Sequence, residues 1–238
     1  MKELNEYEKG FISGFLDADG SLIVIKRKSE IKRGWTISTM VCFSNNDITI
    51  LKYIQKLIGV KGTLITVQDK RSDKYKDQSR LTYNANIARE LLPQLKLIHK
   101  EDKRLMMLDI LNTKRKDNKF RYDYEKVIPK LKKWMNYKYN YGKETKFNPI
   151  DPTEFDIGFF RGFFMGDGHF QSANGKYKYI AVTNNSIKLL CYLRDISYTK
   201  EITLGSNTIN RKITTYRFTF YKNRIRPKIL PLVKSLSI

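Results

Sequence analysis

The chain's 238 residues suffice for two compact units of about 100 residues each. It carries 46 Lys and Arg against 24 Asp and Glu, a net charge of +22 that bears on partners and not on fold. Nucleic acid leads as partner, because phosphate neutralisation supplies most non-specific DNA affinity, while 2 histidines exclude a site built mainly from imidazole. A membrane surface or an acidic protein is the alternative reading of the charge, and 15 Tyr with 13 Phe point to a packed core.

In chain order, Asn5 is placed to cap a first helix that runs to an Asp-Gly pair at Asp19-Gly20. SLIVIKR and WTISTMVCFS then have strand composition around a basic turn, with Ile37, Thr39, Val41 and Phe43 on one face. Thr36, Ser38, Met40, Cys42 and Ser44 fall on the other. Asp47 caps a helix whose apolar face is Ile48, Leu51, Ile54 and Ile58, ended by Gly59 and Gly62. Residues 63–68 and 80–86 form a second hairpin. LLPQLKLIHKEDKRLMMLDIL is helical material that Pro93 must break. A Lys- and Tyr-rich connector follows, helical in part over 122–137, with 139–150 as the linker proper. Pro152 suits the first turn of a helix after Asp151. The second half then reads as strands 168–173 and 177–184, a helix at 186–197, strands 199–207 and 211–221, and a last helix from about 223. The expected boundaries are 1–115, 116–150 and 151–238. Cys42 and Cys191 fall in core-like runs without metal-ligand spacing. With no apolar signal stretch at the N-terminus, reduced thiols and an intracellular location, organellar or prokaryotic, are expected.

The chain repeats itself. EYEKGFISGFLDADG (Glu6–Gly20) returns as EFDIGFFRGFFMGDG (Glu154–Gly168), identical at Glu6/Glu154, Gly10/Gly158, Phe11/Phe159, Gly14/Gly162, Phe15/Phe163, Asp19/Asp167 and Gly20/Gly168. SNNDITILKYI is echoed by TNNSIKLLCYL, and IARELLPQLK more faintly by IRPKILPLVK. Landmarks in the same order indicate a tandem duplication with two pseudo-symmetric halves, not a solenoid. Glycines four apart lie on one helical face and leave a groove for another backbone. Charges at Glu6, Glu8, Lys9 and Asp17 interrupt a segment too short to span a bilayer, so no membrane is expected. The two glycine-faced helices are expected to pack on each other, bringing Asp19 and Asp167 together.

SGFLDADG and RGFFMGDG resemble the LAGLIDADG motif, and the whole chain is similar to a single-chain, two-motif LAGLIDADG homing endonuclease. The fold class implied is α/β of the α+β type. It comprises two α-β-β-α-β-β-α halves with antiparallel DNA-binding sheets and the motif helices at the interface between halves. The resemblance implies a monomer that recognises a long duplex DNA site and cleaves both strands, leaving short 3′ overhangs. It also implies Mg²⁺, with Mn²⁺ as a substitute or Ca²⁺ in a non-cleaving complex. An RNA maturase that binds its intron RNA, or a non-cleaving DNA-binding regulator, would use the same scaffold. The second motif departs from the first: Met165 stands where the first has Asp17, and Gly166 where it has Ala18.

Asp19 and Asp167 are the carboxylates common to both copies. Phosphodiester hydrolysis needs an activated water and neutralised phosphate charge, which carboxylate-bound divalent cations supply. Free carbonyls at each helix end, position 18 included, would also favour a cation. The bland alternative is that Asp-Gly merely turns each helix into its strand. A calcium loop starting at Asp17 lacks its third acidic position and closing Glu. Asn45 and Asn184 suit turn or cap chemistry. The resemblance places a polar residue near the metal and water there, and a basic residue near the cleaved phosphate at Lys100, which otherwise reads as a solvated lysine. DNA contacts are expected in or beside the strand ribbons, at Arg27, Lys28, Lys32, Arg33, Ser38, Lys70, Arg71, Arg80, His169, Gln171, Lys178, Arg211 and Arg217. Most of these would meet phosphate, with Arg27, Arg80, Gln171 and Arg217 as candidate base readers.

Overall fold

A computed structural model of the chain describes residues 1–28, 35–67, 77–113, 122–173, 176–198, 202–204 and 216–221. The chain divides into two compact units. One comprises Met1–Leu4, Asp19–Lys96 and Lys100–Tyr139, and the other Asn5–Ala18, Leu97–His99 and Asn140–Ile238.

The first unit is built on an antiparallel sheet of order β1-β2-β4-β3, from β1 (Gly20–Lys28), β2 (Trp35–Asn45), β3 (Thr63–Val67) and β4 (Gln78–Asn84). Strand periodicity sorts the side chains: Leu22, Thr39, Val41, Phe43, Ser79, Leu81 and Tyr83 are buried, whereas Ser21, Arg27, Gln78 and Arg80 are exposed. Cys42 breaks the alternation. It is buried on the otherwise open face, with Thr82 donating a hydroxyl to its sulfur at 3.8 Å. Helix α2 (Ile48–Ile58) starts where Asp47 accepts the Thr49 N–H at 2.8 Å, and ends at Gly59 in the left-handed region.

The expected strand over 80–86 lies two residues earlier. Asn84 Oδ1 accepts the N–H groups of Asn86 and Ile87, which ends the strand and opens α3 (Ala85–Leu91). Pro93 breaks the helix as expected, leaving a 3₁₀ turn at Leu92–Gln94 before α4 (Glu101–Leu111). Arg104, buried in α4, donates to Leu92 O at 2.8 Å and pairs with Glu101 at 2.6 Å, so its charge is compensated. Helix α5 (Tyr124–Met135) fulfils the helical part of the connector. The Lys103 ammonium sits over the rings of Trp134 and Tyr139 at 5.0 and 4.6 Å, and its burial lowers its pKa.

The second unit pairs the two motif helices, α1 (Glu6–Ala18) and α6 (Glu154–Asp167). Asn5 caps α1 reciprocally with Glu8, each side chain accepting the other's backbone N–H at 2.9 and 3.1 Å. Helix α6 begins two residues later than Pro152 suggests, because a Thr153/Asp156 capping box sets its start. Asp156 also accepts from Tyr192 OH, and burial together with that carboxylate raises the tyrosine pKa. A Cβ built on Gly10 or Gly14 would overlap the carbonyl oxygen of Phe155 or Phe159. One built on Gly158 or Gly162 would overlap that of Tyr7 or Phe11. Gly10 faces Phe155–Phe159 and Gly14 faces Phe159–Phe163, so the helices run parallel and end on the same side of the pair.

Behind α6, Phe159, Phe160, Phe163 and Phe164 pack with Val182 of β6 (Lys176–Asn184) and Leu189, Leu190, Leu193 and Ile196 of α7 (Ile187–Ser197). With β5 (Gly168–Ala173), β7 (Ile202–Leu204) and β8 (Tyr216–Tyr221), the sheet order is β5-β6-β8-β7, the order of the first unit. The expected last helix lies outside the described residues. Residues 140–150 hold no helix or strand, yet they are bound down: buried Arg194 donates to the carbonyls of Thr145 and Lys146 at 2.9 and 3.0 Å. Ile150 N–H donates to Asp195 O at 3.2 Å.

Replacing Gly14 or Gly162 with Ala should destabilise the fold by ~1–3 kcal/mol or more, since the new methyl meets a backbone oxygen that cannot rotate away. Denaturant melts of the two variants check this, and unchanged midpoints would show that the helices separate there freely.

Candidate active site

Each motif helix delivers a carboxylate at its C-terminal end, where the backbone carbonyls form the negative pole of the helix dipole. Asp167 is the last residue of α6, and Asp19 follows the last residue of α1. Both are half-buried. The glycine after each begins a strand, so the turn reading of Asp-Gly is correct as far as it goes.

The geometry adds a partner to each. Asn45, the last residue of β2, donates Nδ2–H to Asp19 Oδ2 at 3.3 Å. Asn184, the last residue of β6, donates to Asp167 Oδ2 at 3.1 Å. The same side chains accept through Oδ1 the Asp47 and Ser186 N–H groups, both at 2.8 Å. Each Asn therefore performs the turn chemistry expected of it and also orients a motif carboxylate. The two halves repeat this arrangement atom for atom. Lys100 precedes α4, and its ammonium donates to Gly20 O at 2.9 Å, one residue beyond Asp19.

Among the described residues, no three His, Cys, Asp or Glu side chains gather as a metal cage. At each helix end the donors are oxygen atoms, those of one carboxylate and of main-chain carbonyls. That set fits a hard cation of the Mg²⁺ type, which keeps waters and a substrate phosphate in its shell and needs only one or two carboxylates.

The expected DNA contacts divide by position. Arg27 is exposed near the end of β1 opposite Thr36, with Lys28 next to it opposite Trp35. Ser38 is half-buried opposite Ile25. Arg80 is exposed on β4 between Ser44 and Ile65. Arg217 stands on β8 between Thr183 and Thr203, which is the equivalent place in the second sheet. His169 and Gln171 lie on β5 opposite Ala181 and Tyr179, and the β5–β6 register skips Lys178. Lys32, Arg33, Lys70, Arg71 and Arg211 fall outside the described residues. Two features escaped the sequence reading. Ile65 and Val67 on edge strand β3 are 47% and 50% exposed, on the face that carries Arg80. Asp17 is fully buried and accepts two backbone N–H groups.

Asn184→Ala should cost about 1 kcal/mol of stability, because Ser186 N–H loses its acceptor at the entry to α7. Chemical denaturation measures it, and a neutral result would remove Asn184 from its structural role.

Residues 12–99 match the family model described as LAGLIDADG endonuclease, and residues 154–224 match one described as LAGLIDADG-like domain. Among solved structures, a substituted form of I-SmaMI is similar at 17% identity and a TM-score of 0.68, over 99% of this chain and 84% of that one. The LAGLIDADG homing endonuclease I-GzeII in complex with DNA target is similar at 17% and 0.64, over 99% and 84%. The LAGLIDADG meganuclease I-CpaMI bound to uncleaved DNA is similar at 17% and 0.54, over 99% and 86%. Identities this low speak for the fold alone. No curated protein matches the chain by sequence.

Proposed function

Because the chain belongs to the LAGLIDADG endonuclease family, we propose that it is a site-specific endonuclease that hydrolyses both strands of a duplex DNA site. The observation that carries this reading is the repeated Asp–Asn pair, Asp19 with Asn45 and Asp167 with Asn184, at the ends of the two motif helices. An intact carboxylate in both halves suits the cutting of two strands. A regulator that only binds would have no use for either.

Asp19 and Asp167 would each hold divalent cation, Mg²⁺ in the cell, through carboxylate oxygen. The cation when bound supplies charge neutralisation at the scissile phosphate and an acidified water. Asn45 and Asn184 fix one oxygen of each carboxylate, so that the other face of the group is presented in a constant direction. Lys100, held on Gly20 O beside Asp19, adds positive charge where the phosphate becomes more anionic in the transition state. The strand ribbons, with Arg27 and Arg80 exposed on the first and Arg217 on β8 of the second, would enter the major groove and read bases. The net charge of +22 would draw in any duplex.

Asp19→Asn or Asp167→Asn should abolish double-strand cleavage in Mg²⁺ and leave duplex affinity nearly unchanged. Selection of cleaved products from a randomised duplex library supplies the substrate, and near-wild-type cutting by both variants would sink the assignment. Structured RNA that outcompetes every duplex at equal salt would favour a maturase instead.

Ile65 and Val67 suit contact with thymine methyl groups, an apolar feature of the major groove. Replacing thymine by deoxyuridine within one half-site should weaken binding by wild type and have little effect on an Ile65→Ser/Val67→Ser variant. Equal losses in both proteins would show that these side chains do not touch methyls.

A further inference from the structure

Asp17 lies inside α1, two residues before Asp19, and is 1% exposed. A buried carboxylate without compensation is costly, so its partners reveal what it is for. Two of them are remote in the chain. Asp17 Oδ2 accepts the backbone N–H of Ile98 at 2.6 Å and of His99 at 3.1 Å, two amides from a segment 81 and 82 residues away in the chain. Charge-assisted bonds of this kind are about twice as strong as neutral ones. The segment needs them, because residues 95–100 belong to no helix or strand. The His99 ring stacks on Tyr141 at 5.6 Å, which holds the same stretch from its side-chain direction.

The next residue is Lys100, which stands at the entry to α4 and sends its ammonium to Gly20 O. We infer that Asp17 is a positioning residue that clamps the backbone at Ile98–His99 and thereby sets where the Lys100 ammonium sits beside Asp19. The inference rests on the proposed endonuclease reading, in which Lys100 serves the cleaved phosphate. It adds a consequence that the repeat makes specific to one half. Met165 occupies the Asp17 place in α6 and packs on the apolar cluster around Phe159 and Leu189. It has no carboxylate with which to hold a backbone. Among the described residues this clamp belongs to the half that contains Asp19, so cutting of the two target strands should depend on Asp17 unequally.

The test uses the full chain with a duplex site selected from the library, each strand separately end-labelled, in Mg²⁺. Asp17→Leu removes the acceptor and fills the space, Asp17→Asn keeps one oxygen acceptor, and Lys100→Met removes the ammonium. Asp17→Leu should slow one strand by up to about a hundredfold, the scale expected when a catalytic group is misplaced by about 1 Å, and leave the other near wild type. Nicked product should accumulate. Asp17→Asn should restore most of the lost rate. The double variant Asp17→Leu/Lys100→Met should be no slower than Lys100→Met alone, because the clamp acts through the lysine. Should the Leu variant fail to fold, Asp17→Ser, whose hydroxyl is too short to reach both amides, takes its place in the same cycle. Equal slowing of both strands, losses that multiply in the double variant, or a Lys100→Met protein that cuts both strands normally would each overturn the assignment of Asp17. A wild-type chain that cuts no duplex overturns the endonuclease reading itself, and that result is distinct from all of these.

Discussion

Where α1 meets α6, the carbonyl oxygens of one helix lie against the glycine Cα atoms of the other, at Gly10 and Gly14 and again at Gly158 and Gly162. No side chain fits between backbones that close, so the pair is registered by main chain and not by interdigitating side chains. The helices run parallel and present their C-terminal ends on one side. Asp167, the last residue of α6, stands at one of those ends. The opposite face of α6 is then free to be aromatic, and the Phe160 and Phe164 rings meet, tilted, at 4.5 Å within the core over α7. One helix thus supplies a rigid backbone seam, a packed core face and a functional end.

Duplication leaves a record of what each part must do. The Asp–Asn hydrogen bond is kept in both halves with the same atoms, and so is the second bond from each Asn to the chain two residues on. The strand order is kept as well. The divergence falls at Asp17/Met165, where one half uses a carboxylate to fasten a distant segment and the other packs a half-buried thioether against its core. A thioether is flexible and polarisable and serves as packing, whereas a buried carboxylate is tolerated only with donors around it. The two choices are not variants of one role.

The glycine seam, the repeat and the strand faces were legible in the sequence because each is a periodic signal: glycines four apart, alternate burial, and matched landmarks in one order. Among the described residues the elements fall where that periodicity puts them, and the misplacements are local. Asn84 ended β4 early by capping α3, and Thr153 displaced Pro152 as the start of α6, since a side-chain cap competes with a strand or a proline for the same few residues. Asn45 and Asn184 were visible as polar residues at strand ends, but not as donors to Asp19 and Asp167, because those contacts close over 26 and 17 residues of chain. Asp17 was hidden for a stronger version of that reason. Its partners are backbone amides, which every residue carries, so no residue type at Ile98 or His99 marks them in the sequence. The strap at 140–150 escaped likewise, since Arg194 holds it through main-chain carbonyls.

A chain with 22 more positive charges than negative attracts phosphate everywhere except at the carboxylates, where the proposed chemistry has to occur. A phosphate and an aspartate repel, and the repulsion grows as water is excluded. Placing those aspartates at helix C-termini deepens the local negative potential. For a group whose only task is to turn a chain, that would be a poor arrangement, and in a protein so basic it would also be easy to avoid. It becomes favourable when a divalent cation stands between carboxylate and phosphate, because the ion's charge then inverts the local balance. The Asn donors fit this view: they orient the carboxylates without neutralising them, as a Lys or Arg in the same place would. Lys100 differs in that its ammonium donates to a carbonyl, Gly20 O, one residue beyond Asp19. Under the proposed function, the electrostatics of the helix ends are therefore suited to bringing cation and phosphate together.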